Sequence, residues 1–242
     1  MTHPLRGLLI AQFCGAFNDN AWKLMVALLA IRQLASTTAP GPDFEAASQT
    51  QTTLAFVVFT FPLVVVSIVA GVLADRVSKR KVIILMKSVE VLLMGAATLA
   101  LWFNPAGGVL PLIVLAGMGV HSALFSPAKY GILAELLPHE RLAAGNGQLE
   151  MWTFFAILTG TAAPGIVMSL TGDAVWVAPL LLTALALVGF SAAWTIPPVP
   201  PARAEGGLLN TLQGAWPPPE IAPPGDVAAP VLPVGHFAST TR

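Results

Sequence analysis

Gly71-Val72-Leu73-Ala74-Asp75-Arg76-Val77-Ser78-Lys79-Arg80-Lys81 is a short charged stretch between two long apolar runs. Four of its last six residues are basic, and one acidic residue, Asp75, precedes them. Basic groups cross a bilayer only at a high free-energy cost, and short loops rich in Lys and Arg lie on the cytoplasmic side of membranes. The stretch therefore predicts a cytoplasmic hinge between two membrane helices.

The composition of the chain also indicates a membrane protein. Hydrophobic residues make up 55% of the sequence and charged residues 10%, whereas roughly 25% of residues are charged in typical soluble domains. The formal net charge is +0, so the chain lacks the basic excess of a nucleic-acid-binding protein and we expect no nucleic-acid partner. The single cysteine, Cys14, leaves no intrachain disulfide and no cysteine metal site.

Apolar segments long enough to cross a bilayer recur along the chain and predict an all-α membrane protein with six transmembrane helices. The predicted spans are residues 5–31, 52–74, 82–103, 109–125, 149–170 and 175–194. Basic residues concentrate in the hinge and between the fourth and fifth spans, whereas the loops on the other side hold only Arg32. This asymmetry predicts a multi-pass membrane protein with both termini in the cytoplasm.

The character of the sequence changes after the sixth span. Prolines recur from Pro197 to Pro224 with few large apolar residues between them. Such a composition does not support a helix or a buried core. We therefore predict two regions, a six-helix membrane domain over residues 1–195 and a proline-rich disordered cytoplasmic tail over residues 196–242.

The hinge resembles the signature loop between the second and third helices of the major facilitator superfamily. The positions that match are Gly71, Leu73, Ala74, Asp75, Arg76, Arg80 and Lys81. Ser78 stands where that family usually has glycine, and Lys79 where it usually has arginine. The resemblance implies the N-terminal half of a major facilitator fold. The residues to which it assigns conformational gating are Gly71, Asp75, Arg76 and Arg80.

A second polar stretch, residues 126–136, lies between the fourth and fifth spans and is interpreted as a cytoplasmic loop. Together with Phe17-Asn18-Asp19-Asn20-Ala21 in the first span, it is similar to the lysophospholipid transporter branch of the superfamily. Members of that branch occur alone or fused to acyltransferase and acyl-carrier ligase domains. The resemblance implies a location in a bacterial-type inner membrane and movement of lysophospholipid across it. The marker residues of the branch are Lys129, Tyr130 and Glu135. The alternative for this stretch is a juxtamembrane helix without a ligand role, in which Glu135 and Arg141 neutralise one another.

The first span carries charges at a depth where a charge normally faces protein or water. Asp19 and Lys23 are four residues apart and share a helical face, so we expect them to pair when no ligand is bound. Asn18 and Asn20 flank Asp19 and offer amide oxygens that help hold a coupling cation, either sodium or a proton. The functional interpretation is a switchable ion or headgroup site, and the alternative is a static buried ion pair. Apart from such a cation, we expect no cofactor and no bound metal.

The third and fourth spans add further ionisable candidates. Lys87 and Glu90 are three residues apart on one face and are candidates for binding substrate or an ion. Two alternatives remain open, namely structural neutralisation of one by the other, and extension of Lys87 to the cytoplasmic surface. His121 titrates near neutrality and is suited to proton relay, but its position beside Ser122 favours a satisfied packing residue.

No enzyme signature is found in the sequence, so we expect a chain that is not an enzyme. Transporters of this superfamily build their site between two six-helix halves. The chain is therefore expected to be incomplete and to need a C-terminal six-helix half or a second copy, with membrane lipid around it. The other interpretations are half of a generic small-solute or drug transporter, and the non-catalytic leading part of a fused acyltransferase.

Overall fold

The computed structural model describes residues 3–74 and 77–198. Most of the predicted tail lies outside the described residues, and so do Asp75 and Arg76 of the hinge. The helices are α1 (His3–Ala35), α2 (Pro42–Ala74), α3 (Lys79–Phe103), α4 (Val109–Leu136), α5 (Leu142–Thr171) and α6 (Val177–Trp194), with a 3₁₀ turn, His139–Arg141, between α4 and α5. The predicted all-α architecture with six long helices is confirmed.

Five helices, α2 to α6, are long and apolar enough to cross a membrane. Helix α1 has 33 residues, more than the roughly 20 that a span needs, but it is less apolar than the others because polar side chains interrupt it. Two of these, Gln12 and Asn18, are buried against neighbouring helices. The polar character of α1 therefore belongs to the interior of the bundle.

Helix α1 lies at the centre of the bundle and packs on α2, α4, α5 and α6. Helix α4 takes a matching position, since it packs on α3 and α2 as α1 packs on α6 and α5. Exchanging α1–α3 for α4–α6 thus reproduces the main helix contacts. Internal repeats of this kind recur in transporter folds, where the binding site lies at the interface between the repeats.

Two apolar clusters occupy the ends of the bundle and leave a polar layer between them. One cluster contains Trp22, Met25 and Leu115, and the other contains Leu8 and Ile83. On α1 the first cluster begins at residue 21 and the second ends at residue 11. The polar residues of α1 occupy the layer between these two clusters.

The two largest differences from the predicted spans are at the start of α2 and at the end of α4. Helix α2 begins at Pro42, ten residues before the predicted start, because proline suits the first helical turn and Asp43 and Glu45 lie favourably at the helix N-terminus. Helix α4 continues to Leu136 and includes Pro127. The interpretation of residues 126–136 as a loop is therefore wrong, since membrane helices tolerate proline where neighbouring groups satisfy the freed backbone.

Candidate functional site

A cavity of about 240 Å³ lies in the polar layer, between α1 and α4. Helices α2 and α5 complete its wall through Phe59, Leu63 and Thr153. Its remaining polar and charged lining residues are Gln12, Asp19, Asn20, Lys23, His121, Ser122, Ser126 and Lys129. The cavity thus combines both signs of charge with aromatic and aliphatic surface.

Asp19 is held on the cavity wall by helix α4. The Ser122 hydroxyl donates a hydrogen bond of 2.5 Å to Asp19 Oδ2. The other carboxylate oxygen, Oδ1, is buried and has no hydrogen-bond partner within residues 3–74 and 77–198. An unsatisfied buried acceptor costs about 1–3 kcal/mol, so Oδ1 is a position at which a cation or a hydrogen-bond donor would be stabilised.

Lys23 lines the same cavity but is held by aromatic rings of α2. Its Nζ lies 4.4 Å from the ring centroid of Phe59 and 5.3 Å from that of Phe56, within the range of a cation–π interaction. Among the described residues, Lys23 forms no ion pair with Asp19. The predicted Asp19–Lys23 pair is therefore wrong. The two residues share a helical face, but Asp19 bonds to α4 while Lys23 lies over α2.

The two asparagines beside Asp19 point to different environments. Asn20 lines the cavity, and its Nδ2 donates to Ala16 O at 2.7 Å. Asn18 is fully buried, and its Nδ2 donates to Glu90 Oε1 at 2.7 Å and to Leu182 O at 3.2 Å. Successive helical residues point about 100° apart, so the expected grouping of both asparagines around Asp19 is wrong for Asn18.

Lys87 and Glu90 form a sealed ion pair on α3. Lys87 Nζ lies 2.6 Å from Glu90 Oε2, and both side chains are 0% exposed. The Lys87 ammonium also lies 4.9 Å from the ring centroid of Phe125. Their predicted common face is confirmed, whereas extension of Lys87 to the surface is wrong because its side chain is fully buried. Neither residue lines the cavity, and their predicted part in binding stays a prediction.

Gly15 forms the thin part of the wall between the cavity and this pair. It lines the cavity, and a Cβ atom at this position would lie 2.5 Å from Lys87 Nζ and 3.5 Å from Glu90 Oε2. Any other residue would displace the ammonium group. The sequence alone places Gly15 on the face of Asp19 but gives no sign of the ion pair behind it.

His121 connects the two polar regions from α4. Its ring stacks on Phe125 at a centroid distance of 6.1 Å, and its Nε2 lies 3.7 Å from Glu90 Oε2. It also lines the cavity, yet among the described residues neither ring nitrogen has a hydrogen-bond partner. The expected packing is present, since the ring stacks on Phe125 and interacts with the backbone of Met86, but the expectation that its hydrogen bonding is satisfied is wrong.

The predicted marker residues on α4 have three different surroundings. Lys129 lines the cavity, with its Nζ 4.8 Å from the ring centroid of Tyr130. The Tyr130 hydroxyl donates to Glu150 Oε1 at 2.6 Å and so links α4 to α5. Glu135 pairs with Lys79 at the start of α3, and not with Arg141 as expected. Only Lys129 reaches the candidate site.

Two of the predicted gating residues lie within the described part of the chain. Arg80 Nε donates to Ile196 O at 2.6 Å, and its Nη2 donates to Trp194 O at 3.1 Å. These bonds tie the start of α3 to the end of α6. Gly71 is exposed near the end of α2, with no atom close to the position of a Cβ. The gating role of both stays a prediction.

The described residues contain no group of three or more His, Cys, Asp or Glu side chains that is placed to hold a metal ion. The acidic groups of the polar layer lie apart, since Asp19 faces the cavity while Glu90 bonds to Lys87 and Asn18. The chemistry that this arrangement supports is the binding of separated positive and negative charges on one amphipathic molecule.

Comparison with known families defines the class of protein. The profile of the Major Facilitator Superfamily matches residues 8–235. The match covers all six helices and extends into the proline-rich region. The chain belongs to the major facilitator superfamily.

Several curated relatives have the name Lysophospholipid transporter LplT. The chain is 36% identical over 165 residues to the protein of Photorhabdus laumondii, covering 68% of this chain and 36% of the relative. It is 34% identical over 209 residues to that of Escherichia fergusonii, covering 86% and 47%, and 35% identical over 186 residues to that of Salmonella paratyphi B, covering 77% and 40%. The matched region thus spans less than half the length of these relatives. No solved structure matches the chain.

Proposed function

We propose that this chain is one six-helix part of a transporter that moves lysophospholipid toward the cytoplasmic leaflet of an inner membrane, and that the cavity between α1 and α4 binds the headgroup. The observation that carries this proposal is the pair Asp19 and Lys23, which line one cavity but are not bonded to one another. The names of the relatives support the class of substrate. They also support a role as a transporter and not as an enzyme.

The separation of the two charges suits a zwitterionic headgroup. Asp19 Oδ1 has no hydrogen-bond partner in the part of the chain that the structure describes and is suited to the ammonium group. The Lys23 ammonium lies over aromatic rings and is suited to the phosphate. A charge-assisted hydrogen bond contributes about 1.5–3 kcal/mol. The aromatic and aliphatic side chains of α2 in the cavity wall, Phe59 and Leu63, offer apolar surface to the start of the acyl chain.

The binding of lysophosphatidylethanolamine to the purified chain in nanodiscs tests the role of Asp19. We expect Asp19→Asn to weaken binding by roughly 10- to 100-fold, which corresponds to the loss of one charge-assisted bond. Glu140→Gln removes an exposed acid of the 3₁₀ turn and serves as the matched control with unchanged binding. Equal affinity of the Asp19→Asn variant and the parent protein would contradict the proposal.

We further propose that Asp19 holds the coupling cation, sodium or a proton, with Asn20 beside it. Binding measured in sodium and then in choline, at constant ionic strength and pH, separates the two cations. A sodium requirement that disappears in Asp19→Asn supports sodium, whereas a pH requirement that disappears in the same variant supports a proton. A cation dependence that survives the substitution would place the cation elsewhere.

The orientation in the membrane follows, in our proposal, from the positive-inside rule, with both termini in the cytoplasm. Cys14 is buried and is replaced by serine for the test. Single cysteines then replace Ala106, between α3 and α4, and Val77, between α2 and α3, both of which are exposed. An impermeant thiol reagent added outside intact cells should label the first and spare the second. The reverse labelling would refute the orientation.

We also propose that transport requires a second six-helix bundle, either a C-terminal half or another copy of this chain. Helices α2 and α5 expose large apolar side chains such as Phe61, Ile68 and Phe154, which suit contact with lipid or with such a partner. Proteoliposomes that contain this chain as a monomer should not move lysophosphatidylethanolamine. Transport at a rate proportional to monomer content would contradict the requirement.

A further inference from the structure

We propose that His121 is a proton-uptake site that links anionic headgroup binding in the cavity to the sealed Lys87–Glu90 pair on α3. The inference rests on the proposed function, because it needs a ligand that brings a phosphate into the cavity. It adds His121 of α4, whose protonation depends on the ligand, to the proposed binding residues of α1.

The position of His121 gives it access to both polar regions. Its side chain lines the cavity and is 1% exposed. On the other side, its Nε2 lies 3.7 Å from Glu90 Oε2, the oxygen to which Lys87 Nζ already donates at 2.6 Å. Stacking on the Phe125 ring, with the two planes 11° apart, holds the imidazole in this place. A rotation or shift of about 1 Å would bring Nε2 within hydrogen-bond distance of Oε2.

The unsatisfied nitrogens of His121 point to a ligand. A neutral imidazole has one donor and one acceptor, and an imidazolium has two donors. Neither nitrogen has a hydrogen bond of normal geometry among the described residues, although the backbone of Met86 on α3 interacts with the ring. Protonation would turn both nitrogens into donors at a place where one acceptor, Glu90 Oε2, is already near and a second, the phosphate of a headgroup, would come from the cavity.

Charged groups around His121 come from three helices. Asp19 and Lys23 lie on α1, Lys87 and Glu90 lie on α3, and Lys129 lies on α4 itself. Helices α2 and α5 contribute Phe59, Leu63, Thr153 and Ile157 to the cavity wall and place no charged side chain there. Three cations and two anions thus surround His121, two of the cations in the cavity wall and one in the sealed pair, and their net positive charge opposes an added positive charge. A bound phosphodiester carries one negative charge, which balances this net charge and removes the opposition.

The proposed step is the uptake of one proton from bulk solution by the neutral imidazole of His121, through water in the cavity, when the anionic ligand binds; the ligand's negative charge balances the charge that is gained. The imidazolium then donates Nε2–H to Glu90 Oε2 and its other N–H toward the ligand. Glu90 Oε2 then accepts hydrogen bonds from both Lys87 and the imidazolium, and the Lys87–Glu90 ion pair becomes weaker. The occupancy of the cavity is transmitted in this way to α3, which also begins at the hinge.

The test measures the affinity of the full chain in nanodiscs for lysophosphatidylglycerol, an anionic probe, between pH 5.5 and pH 8. Binding linked to uptake of one proton tightens as the pH falls, by up to about tenfold per pH unit. We expect the parent protein to show this dependence of affinity on pH, called the slope below. Both His121→Gln and His121→Asn should lose it. His139→Gln, which changes an exposed histidine of the 3₁₀ turn, is the matched control and should keep the slope.

Two further variants separate His121 from its neighbours. Lysophosphatidylglycerol has no ammonium group for Asp19, so Asp19→Asn should not weaken its binding and should keep the dependence of affinity on pH, which a proton on Asp19 would not allow. The double variant Lys87→Met with Glu90→Gln removes the negative charge behind His121 and leaves only a neutral amide, so the pH range in which binding tightens should move to lower pH. Thermal unfolding of each variant shows whether it is folded at the pH values used.

The outcomes distinguish this inference from the proposed function. Binding whose slope survives in both His121 variants, or a parent protein that binds without any slope, overturns the inference and leaves the proposed function standing. A slope that is lost in Asp19→Asn but kept in His121→Gln assigns the proton to Asp19 and also overturns it. A parent protein that binds no lysophospholipid at any pH overturns the proposed function, and the inference with it.

Discussion

Asn18 and Asp19 are adjacent on α1, but they face two regions in which charged side chains have opposite surroundings. Asn18 faces α3 and α6, where Glu90 and Lys87 are fully buried and bonded to one another. Asp19 faces the cavity, where it has one bond to Ser122 and one unsatisfied oxygen. A sealed pair stabilises a structure only while both partners are present, whereas an open charge is available to a ligand. The comparison therefore separates groups that hold the bundle together from groups that bind.

The largest effect should come from breaking the sealed pair. Lys87→Met alone or Glu90→Gln alone leaves one buried charge without its partner, which costs about 3–5 kcal/mol. We expect both single variants to lose most of their membrane abundance, as measured by immunoblot. The double variant removes both charges and should recover it. If either single variant is as abundant as the parent protein, the pair is not the stabilising element that its burial indicates.

A smaller loss of stability should follow from a larger side chain at Gly15, which separates the cavity from the Lys87–Glu90 pair. Gly15→Ala places a Cβ atom 2.5 Å from Lys87 Nζ, and overpacking of this kind costs about 1–3 kcal/mol. Thermal unfolding in detergent should show a lower midpoint. Gly165→Ala on α5 is the matched control, since a Cβ there has nothing within 4 Å, and its midpoint should not fall. Equal unfolding midpoints of the two variants would show that Gly15 is not closely packed against Lys87.

The cavity side should show only a slight effect on stability. Asn at position 19 still accepts the Ser122 hydroxyl bond, so Asp19→Asn should change the free energy of unfolding by about 1 kcal/mol or less. Thermal unfolding without ligand measures this change. A loss of stability as large as that of Glu90→Gln would contradict the comparison, because it would place Asp19 among the structural charges.

The smallest effect is expected at a surface ion pair far from the polar layer. Arg32 pairs with Asp173 where both side chains are exposed to a large extent, 48% and 98%. Water and salt screen such pairs, so Arg32→Gln should leave the unfolding midpoint unchanged within error. A clear drop would show that this pair also fastens α1 to the α5–α6 turn.

Much of the fold could be predicted because it depends on local properties of the chain. Runs of apolar residues set the helices, and the link after α3 ends its helix at Phe103 as predicted. The prediction of a loop at residues 126–136 was wrong, because this polar run stays helical at the end of α4. Helical backbone hydrogen bonds and contacts with neighbouring helices there outweigh the effects of the proline and the charged side chains. The common face of Lys87 and Glu90 was also predictable, since it follows from helical spacing alone.

By itself, the sequence determined the class of the protein, the number of long helices and the ionisable residues inside them, because hydrophobic length and helical periodicity are local. Only the tertiary structure decided which of these residues are partners. Asp19 bonds to Ser122, which is 103 positions away, and Asn18 bonds to Glu90, which is 72 positions away. Such pairings depend on how the helices are rotated and placed against one another. For the same reason, only the packed bundle assigns Asp19 to a cavity and Glu90 to a sealed ion pair.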